Sequence, residues 1–326
     1  MSVPNFLIRH WFLLTLPLAL GAGALVPWLG AQGGPLHPEI TVHVAVAASF
    51  LISGLTLSSS ALVAALSRVR LHALVQVISF IVAPLLALAA GPALIALGQP
   101  VSLADGFLLL ACLPTTIASC AIMTRAAGGD EPAALCNATG GNLLGVLATP
   151  LLLAVLLGAH VELPFGRILG QLALDVLAPL AIGQLIQRIG GDALAQRSAA
   201  LKPVSSLAIL FIVFTVSCGM FTSHDVTTLG RTAAIVLMLA VLMHATLLAL
   251  SWWSSGLIGL TRNERIAVLF CASQKTLAIG APLVAIVHPH QADLTLAMLP
   301  MVLYHPVQLL ADGIIAARLK TVKPAG

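Results

Sequence analysis

The chain has 326 residues, 59 % of them hydrophobic and only 8 % charged, where a soluble domain carries about 25 % charge. Mean hydropathy is +1.06, and no soluble fold covers that much apolar surface with so few charges, so the composition specifies a polytopic membrane protein. The net charge of +4 does not point to nucleic acid, because the basic residues fall one to three at a time between apolar runs and no stripe of them could follow a phosphate backbone.

A spanning helix needs roughly 20 apolar residues. Ten segments qualify: about 9–30, 38–57, 71–97, 104–125, 132–157, 165–188, 203–222, 229–257, 264–287 and 292–317. They are read as helices, since lipid leaves no backbone group unpaired. The first has Arg9 in front, Trp11 and Trp28 at its ends, and an apolar run longer than a signal-peptide core, so it is read as an uncleaved span. The second and eighth carry single histidines, His43 and His244, read as packing residues. The fourth contains "LACLPTTIASCAIM" (110–123), where Pro114 is followed by Thr115, Thr116 and Ser119. The fifth contains "LCNATGGNLLGVLATP" (135–150), with Asn137, Thr139 and Asn142 beside Gly140, Gly141 and Gly145, which are read as packing glycines. The break "GAHVELPFG" (158–166) divides the spans five and five. The sixth holds Asp175 in mid-span, and "GGDALAQRSAALK" (190–202) is the one sizeable polar linker. Trp252 and Trp253 close the eighth as interfacial anchors. The ninth contains "CASQKTLAIGAP" (271–282), with Ser273, Gln274, Lys275, Thr276 and Gly280, and the tenth "MVLYHPVQLLADG" (301–313), where His305 precedes Pro306 and bonds either a carbonyl freed by the proline or a ligand.

With a cytoplasmic N-terminus, twelve basic residues fall inside: Arg9, Arg68, Arg70, Arg125, Arg188, Arg197, Lys202, Arg262, Arg265, Arg318, Lys320 and Lys323. Only Arg167 and Arg231 fall outside, and Lys275 lies within the membrane. That asymmetry puts both termini in the cytoplasm. The five cysteines, Cys112, Cys120, Cys136, Cys218 and Cys271, lie singly in apolar segments, so neither a disulfide framework nor a zinc site is expected.

The interrupted segments are the fourth span of each half. Paired interruptions of this kind mark a midplane binding site in inverted-repeat transporters. The chain is therefore read as one all-α transporter domain, residues 1–326, with a first repeat of about 9–157 and a second of about 165–317.

"SFLISGLTL" (49–57), "RAAGGDEPAALCNATGGNLLGVLATPLLL" (125–153), "ERIAVLFCASQKTLAIGAPLV" (264–284) and "MLPMVLYHPVQLLADGII" (298–315) resemble the bile acid:sodium symporter family, and within it the branch of cotransporter 7-like proteins. The resemblance runs over nearly the whole chain. It implies ten helices in two inverted five-helix repeats. Spans 3–5 and 8–10 would form a core with broken, crossing spans 4 and 9, and spans 1, 2, 6 and 7 would form a panel beside it. It also implies secondary transport of a small organic anion, sterol-like or another amphipathic carboxylate or sulfate, coupled to sodium. Its sodium ligands carry over poorly. A Ser-Asn pair after the span-4 proline falls on Ser119 and Cys120, span-5 hydroxyls fall on Ala134 and Ala138, and a span-9 glutamate falls on Phe270. Gln274 is retained, and Lys275 stands where those symporters have asparagine. The oxygen ligands that a hard cation requires are largely missing.

Three readings of Lys275 follow: a snorkelling side chain, an ion pair with Asp175 or Asp312, or a fixed cation replacing sodium. As a fixed cation it would hold the crossover carbonyls or attract an anion, or it would load and unload a proton. Asp175 is read as that partner or as a polar residue of the core–panel cleft. The candidate substrate- or ion-binding residues are Thr115, Thr116, Ser119, Cys120, Asn137, Thr139, Asp175, Ser273, Gln274, Lys275, Thr276 and His305. No cofactor and no confident metal site is expected; sodium, proton and the lipid bilayer complete the partners. The alternative function is a regulatory membrane protein affecting calcium homeostasis, as the resemblance to eukaryotic members suggests. An enzyme is not expected: "TSHD" (222–225) is the nearest thing to a nucleophile cluster, and no P-loop occurs. The alanine- and leucine-rich composition suits a bacterial inner membrane.

Overall fold

The computed structural model describes residues 15, 18–56, 68–157, 165–223, 226–288 and 291–321, which are almost entirely helical. Arg9, Trp11, Lys323, His224, Asp225 and most of the 158–166 break lie outside the described residues. Helical residues 18–25 and the turn Pro27–Gly30 make up α1. The continuous helices that follow are α2 (Pro38–Thr56), α3 (Val69–Ala96), α5 (Glu131–Leu156), α6 (Phe165–Gly191), α7 (Lys202–Ser223), α8 (Val226–Leu257) and α10 (Gln291–Thr321). The fourth and ninth are broken, into α4a (Val101–Ala111) and α4b (Ile117–Ala126), and into α9a (Arg262–Ser273) and α9b (Leu277–Val287). Among the described residues, six helices, α2, α3, α5, α6, α8 and α10, are long and apolar enough to cross a membrane. The broken helices reach that length only as pairs of halves. The chain is a polytopic membrane protein.

The polar linker at 190–202 is helical. Gly191, at φ +65°, turns the chain, after which helical turns resume and lead into α7. An Ala-rich polar segment favours helix once glycine has provided the corner.

The helices sort into two packed groups. One is α1, α2, α6 and α7; the other is α3, α4, α5, α8, α9 and α10. In the first group, backbones come into contact. A Cβ on Gly54 would lie 2.5 Å from the Leu180 carbonyl oxygen, and Gly183 faces Leu51 and Gly54 in return. Small residues permit that approach where dispersion, not water exclusion, holds helices together. In the second group, Gly145 meets the Pro114 ring and Gly141 meets Gln76, whereas Gly140 has open space beside it and is exposed, so only two of that trio pack.

One end of the bundle gathers charge. Arg68 pairs with Asp130 and lies 3.8 Å from Glu264, and Arg125 lies 3.3 Å from Glu131. Arg265 stacks 4.1 Å from the Trp252 ring centre. These arginines are among those that the sequence assigns to the cytoplasmic face.

Among the described residues, two helices contain a π-turn, Ile78–Val82 in α3 and Ala173–Leu177 in α6, each followed by a proline, Pro84 and Pro179. In α3, the Ala83 N–H bonds back to Ile78. The donor that would continue the π pattern to Ser79 belongs to Pro84, which has no N–H. The Ser79 carbonyl is left without a partner in its own helix.

Candidate functional site: the crossing of α4 and α9

The two breaks have different causes. In α4, Pro114 lacks the donor that would continue the helix, and residues 114–116 run extended. In α9 no proline lies at the break, which spans residues 274–276. Side chains and backbone from elsewhere hold it open. The Thr276 N–H donates to the Pro114 carbonyl at 2.9 Å, and the Thr116 hydroxyl donates to the Lys275 carbonyl at 3.0 Å, so the two extended stretches cross in direct contact. The Gln308 amide does the rest: its oxygen accepts from the Lys275 N–H at 2.8 Å and its nitrogen donates to the Lys275 carbonyl at 3.0 Å. One side-chain amide thus stands in for a neighbouring peptide group. Its second hydrogen goes to His305 Nδ1 at 3.1 Å, which makes that nitrogen an acceptor and puts the ring hydrogen on Nε2.

Lys275 is 1 % exposed. Its Nζ donates to the carbonyls of Ser79 at 2.7 Å, Ala111 at 2.8 Å and Leu113 at 2.9 Å, using all three ammonium hydrogens. Those oxygens are available because of the π-turn and because α4a ends there, and the C-terminal end of a helix favours a cation. Snorkelling is overturned, since the stem does not run to an interface. The ion pairs are overturned too. Asp175 belongs to the other group of helices, where it meets His43 Nδ1 at 2.6 Å and accepts from Gln171 at 3.0 Å. Asp312 accepts from Gln274 Nε2 at 2.7 Å and lies 3.0 Å from His244 Nε2. His43 and His244 are therefore carboxylate-bonded, not packing residues.

Of the other candidates, Ser119 donates to Gln274 Oε1 at 2.5 Å, and the Ser273 carbonyl accepts from the Tyr304 hydroxyl at 2.7 Å. Thr115 supplies a carbonyl to the Asn142 amide at 2.9 Å. Cys120 bonds the Ile117 carbonyl at 3.4 Å within its own helix. Asn137 faces α3, where Gln76 donates to it at 3.1 Å, and the buried Thr139 hydroxyl has no partner among the described residues. Neither of these two, nor Asp175, lines the cleft at the crossing. That cleft lies between the two groups of helices, walled by Ser49 and Ser53 of α2, Ser205 of α7, and Thr116, Asn142 and Thr276. The N-termini of α4b and α9b open on it, and no side chain caps either. Asn142, Gln308, His244 and Asp312 complete the site and were not among the candidates. Their signal is a polar side chain in an apolar helix at helical spacing from other polar residues.

Residues 10–321 match the model of the SBF-like CPA transporter family. The chain belongs to that family. Among its SBF-like relatives, the sodium/bile acid cotransporter 7 of Danio rerio is 34 % identical over 96 % of this chain and 94 % of its own length. The protein of the same name from Xenopus tropicalis is 33 % identical over 98 % of this chain and 94 % of its own. An uncharacterized protein of Pseudomonas aeruginosa is 33 % identical over 98 % and 95 %. This SBF-like chain is thus a full-length match to proteins named as cotransporters and to a bacterial relative. The two helix groups and the crossing breaks agree with the core and panel that the resemblance implies.

Proposed function

We propose that the protein is a secondary transporter that moves a small organic anion by alternating access, with the α3–α5 and α8–α10 group moving against the panel of α1, α2, α6 and α7. The observation that carries this reading is the pair of uncapped helix N-termini, α4b and α9b, opening together on the cleft between the two groups. Free N–H groups and the positive ends of two helix dipoles favour an anion there. The bile acid in the relatives' names supports an amphipathic anion as cargo. Lys275 acts as a fixed cation in place of sodium. Its ammonium already satisfies carbonyls of α3 and α4a, while Phe270, Ala134 and Ala138 offer no side-chain oxygen. Coupling then falls to another ion, the proton. The charged end of the bundle faces the cytoplasm of a bacterial inner membrane, with both termini on that side.

The test is uptake of labelled taurocholate into proteoliposomes containing the purified protein. Saturable uptake is expected, equal in sodium and choline buffers and changed by a pH gradient. Uptake that requires sodium sinks the fixed-cation reading, and absence of uptake of this and other amphipathic anions sinks the transport reading.

A further inference from the structure

Behind the crossing lies a chain of buried polar groups that the anion site does not use. It runs from Ser119 through Gln274 to Asp312, then to His244, Tyr304 and the Ser273 carbonyl. Asp312 and Tyr304 are 0 % exposed and His244 is 1 % exposed. The imidazole and phenol rings meet edge to face, their centres 5.5 Å apart.

The hydrogens in this chain can be counted. Three contacts each need one: Asp312 Oδ1 to His244 Nε2 at 3.0 Å, His244 Nδ1 to the Tyr304 oxygen at 3.1 Å, and the Tyr304 oxygen to the Ser273 carbonyl at 2.7 Å. A carbonyl cannot donate, so the last hydrogen is the phenol's own. His244 Nδ1 must then donate to Tyr304, and a further hydrogen must lie between Nε2 and Asp312. An ionised aspartate, a neutral histidine and a tyrosine supply two hydrogens for these three contacts. One more proton completes the set, either as imidazolium with carboxylate or as neutral imidazole with carboxylic acid. The pair is electrically neutral with that proton and carries −1 without it.

We propose that His244 and Asp312 form a proton-binding site, and that its occupancy is transmitted to the broken helix α9 by the hydroxyl of Tyr304. When the proton leaves, the remaining imidazole hydrogen stays on Nε2, facing the carboxylate, and Nδ1 becomes an acceptor. The Tyr304 hydroxyl turns to Nδ1 and releases the Ser273 carbonyl, the last residue of α9a before the crossing. On the other side, Gln274, the neighbour of Lys275, continues to donate to Asp312, whose pair with His244 now carries −1. Loading and unloading one proton therefore changes both charge and hydrogen bonding at the crossing, which is what coupling requires. The inference rests on the transport reading only for its use; the proton site itself does not.

Several other titratable groups on the helices packed here are engaged elsewhere. Lys275 is held by the Ser79, Ala111 and Leu113 carbonyls, and His305 accepts from Gln308. Cys271 bonds the Ala134 carbonyl and Cys120 the Ile117 carbonyl. Arg125 faces Glu131, Glu264 accepts from Thr261, and Arg265 donates to the Trp252 carbonyl.

Tyr304 is the single tyrosine of the chain, so its ultraviolet resonance Raman bands report one hydroxyl. The experiment is a pH titration of those bands in the full-length protein in lipid, over the range in which it stays folded. A one-proton change from a donating and accepting hydroxyl to a purely donating one is expected as pH rises. It should be lost in Asp312→Asn and in His244→Gln and retained in Lys275→Met. Should Asp312→Asn fail to fold, His244→Gln carries the same test. Bands that do not move with pH in the wild type overturn the proposal. So does a titration that survives both pair variants, or one that disappears with Lys275→Met while surviving them. Because the titration needs no substrate, a protein that titrates but takes up no organic anion would refute the transport reading alone. PH-independent bands with intact uptake would refute the proton site alone.

Discussion

At Lys275 the balance between burial and pairing is decided by geometry. A lone ammonium in hydrocarbon is expensive, yet here three carbonyls that had lost their own donors converge on it at 2.7–2.9 Å. Each would be left unpaired by truncation, at about 1–3 kcal/mol apiece. The same cage gives a sharp expectation for ion binding. A ligand that binds only the folded state raises apparent stability by mass action. Thermal unfolding of the wild type in detergent should give equal midpoints in sodium chloride and choline chloride at matched ionic strength. Lys275→Asn, which empties the cage and returns an amide oxygen, should be less stable overall and should gain a midpoint rise in sodium. A sodium-dependent rise in the wild type would show that a cation site survives beside the lysine. The lysine was conspicuous in the sequence because it stood in a long apolar run. Its partners were not, because backbone carbonyls carry no sequence signature. Ser79 is exposed as a partner only through the π-turn and Pro84, a pairing that apolar periodicity does not register.

At the scale of the element, the break in α4 was readable from Pro114, whereas the break in α9 was readable only as a cluster of polar residues. Nothing local forbids helix at 274–276. What prevents it, beside the Pro114 and Thr116 contacts across the crossing, is Gln308, reaching from α10 to pair both backbone groups of Lys275. Gln308→Leu leaves that N–H buried without a partner, while the C=O keeps only the Thr116 hydroxyl, a cost of about 1–3 kcal/mol, and should lower the unfolding midpoint more than Gln308→Glu, which keeps the acceptor for the N–H. Equal midpoints for the two variants would mean that the amide does not hold the break. The same logic explains why the sequence leaves open a pair of Asp175 with the span-9 lysine that the structure does not form. Both lie mid-span, and depth along a helix says nothing about which face or which neighbour a side chain meets. His43 and His244 were misread for a related reason: a single histidine in an apolar run looks alike whether it packs or bonds a carboxylate from a helix more than a hundred residues or several dozen residues away.

At the scale of the molecule, ten segments, their approximate bounds and the interruption of the fourth and ninth were legible because apolar length and proline are local properties. The cleft was not, since it belongs to no single helix. Ser205 of α7 and Ala118 of α4b wall it from opposite sides. If the two groups must move past each other, joining Ser205→Cys to Ala118→Cys with a short bifunctional thiol reagent should abolish taurocholate uptake, and cleaving the linker should restore it. Uptake that persists through cross-linking would mean that the groups do not move relative to each other during transport.

The origin of the α9 break has a further consequence, for the order in which the chain is made. Residues 262–287 leave the ribosome before α10 does. At that moment Pro114 and Thr116 of α4 are in place to meet residues 275 and 276, but neither Gln308 nor Tyr304 exists to complete the break. The carbonyl cage of Lys275 is likewise already built in α3 and α4a, while the acceptor for its own backbone N–H comes only with α10. The arrival of α10 supplies the remaining partners, so the working geometry of the crossing is the last thing that biogenesis completes.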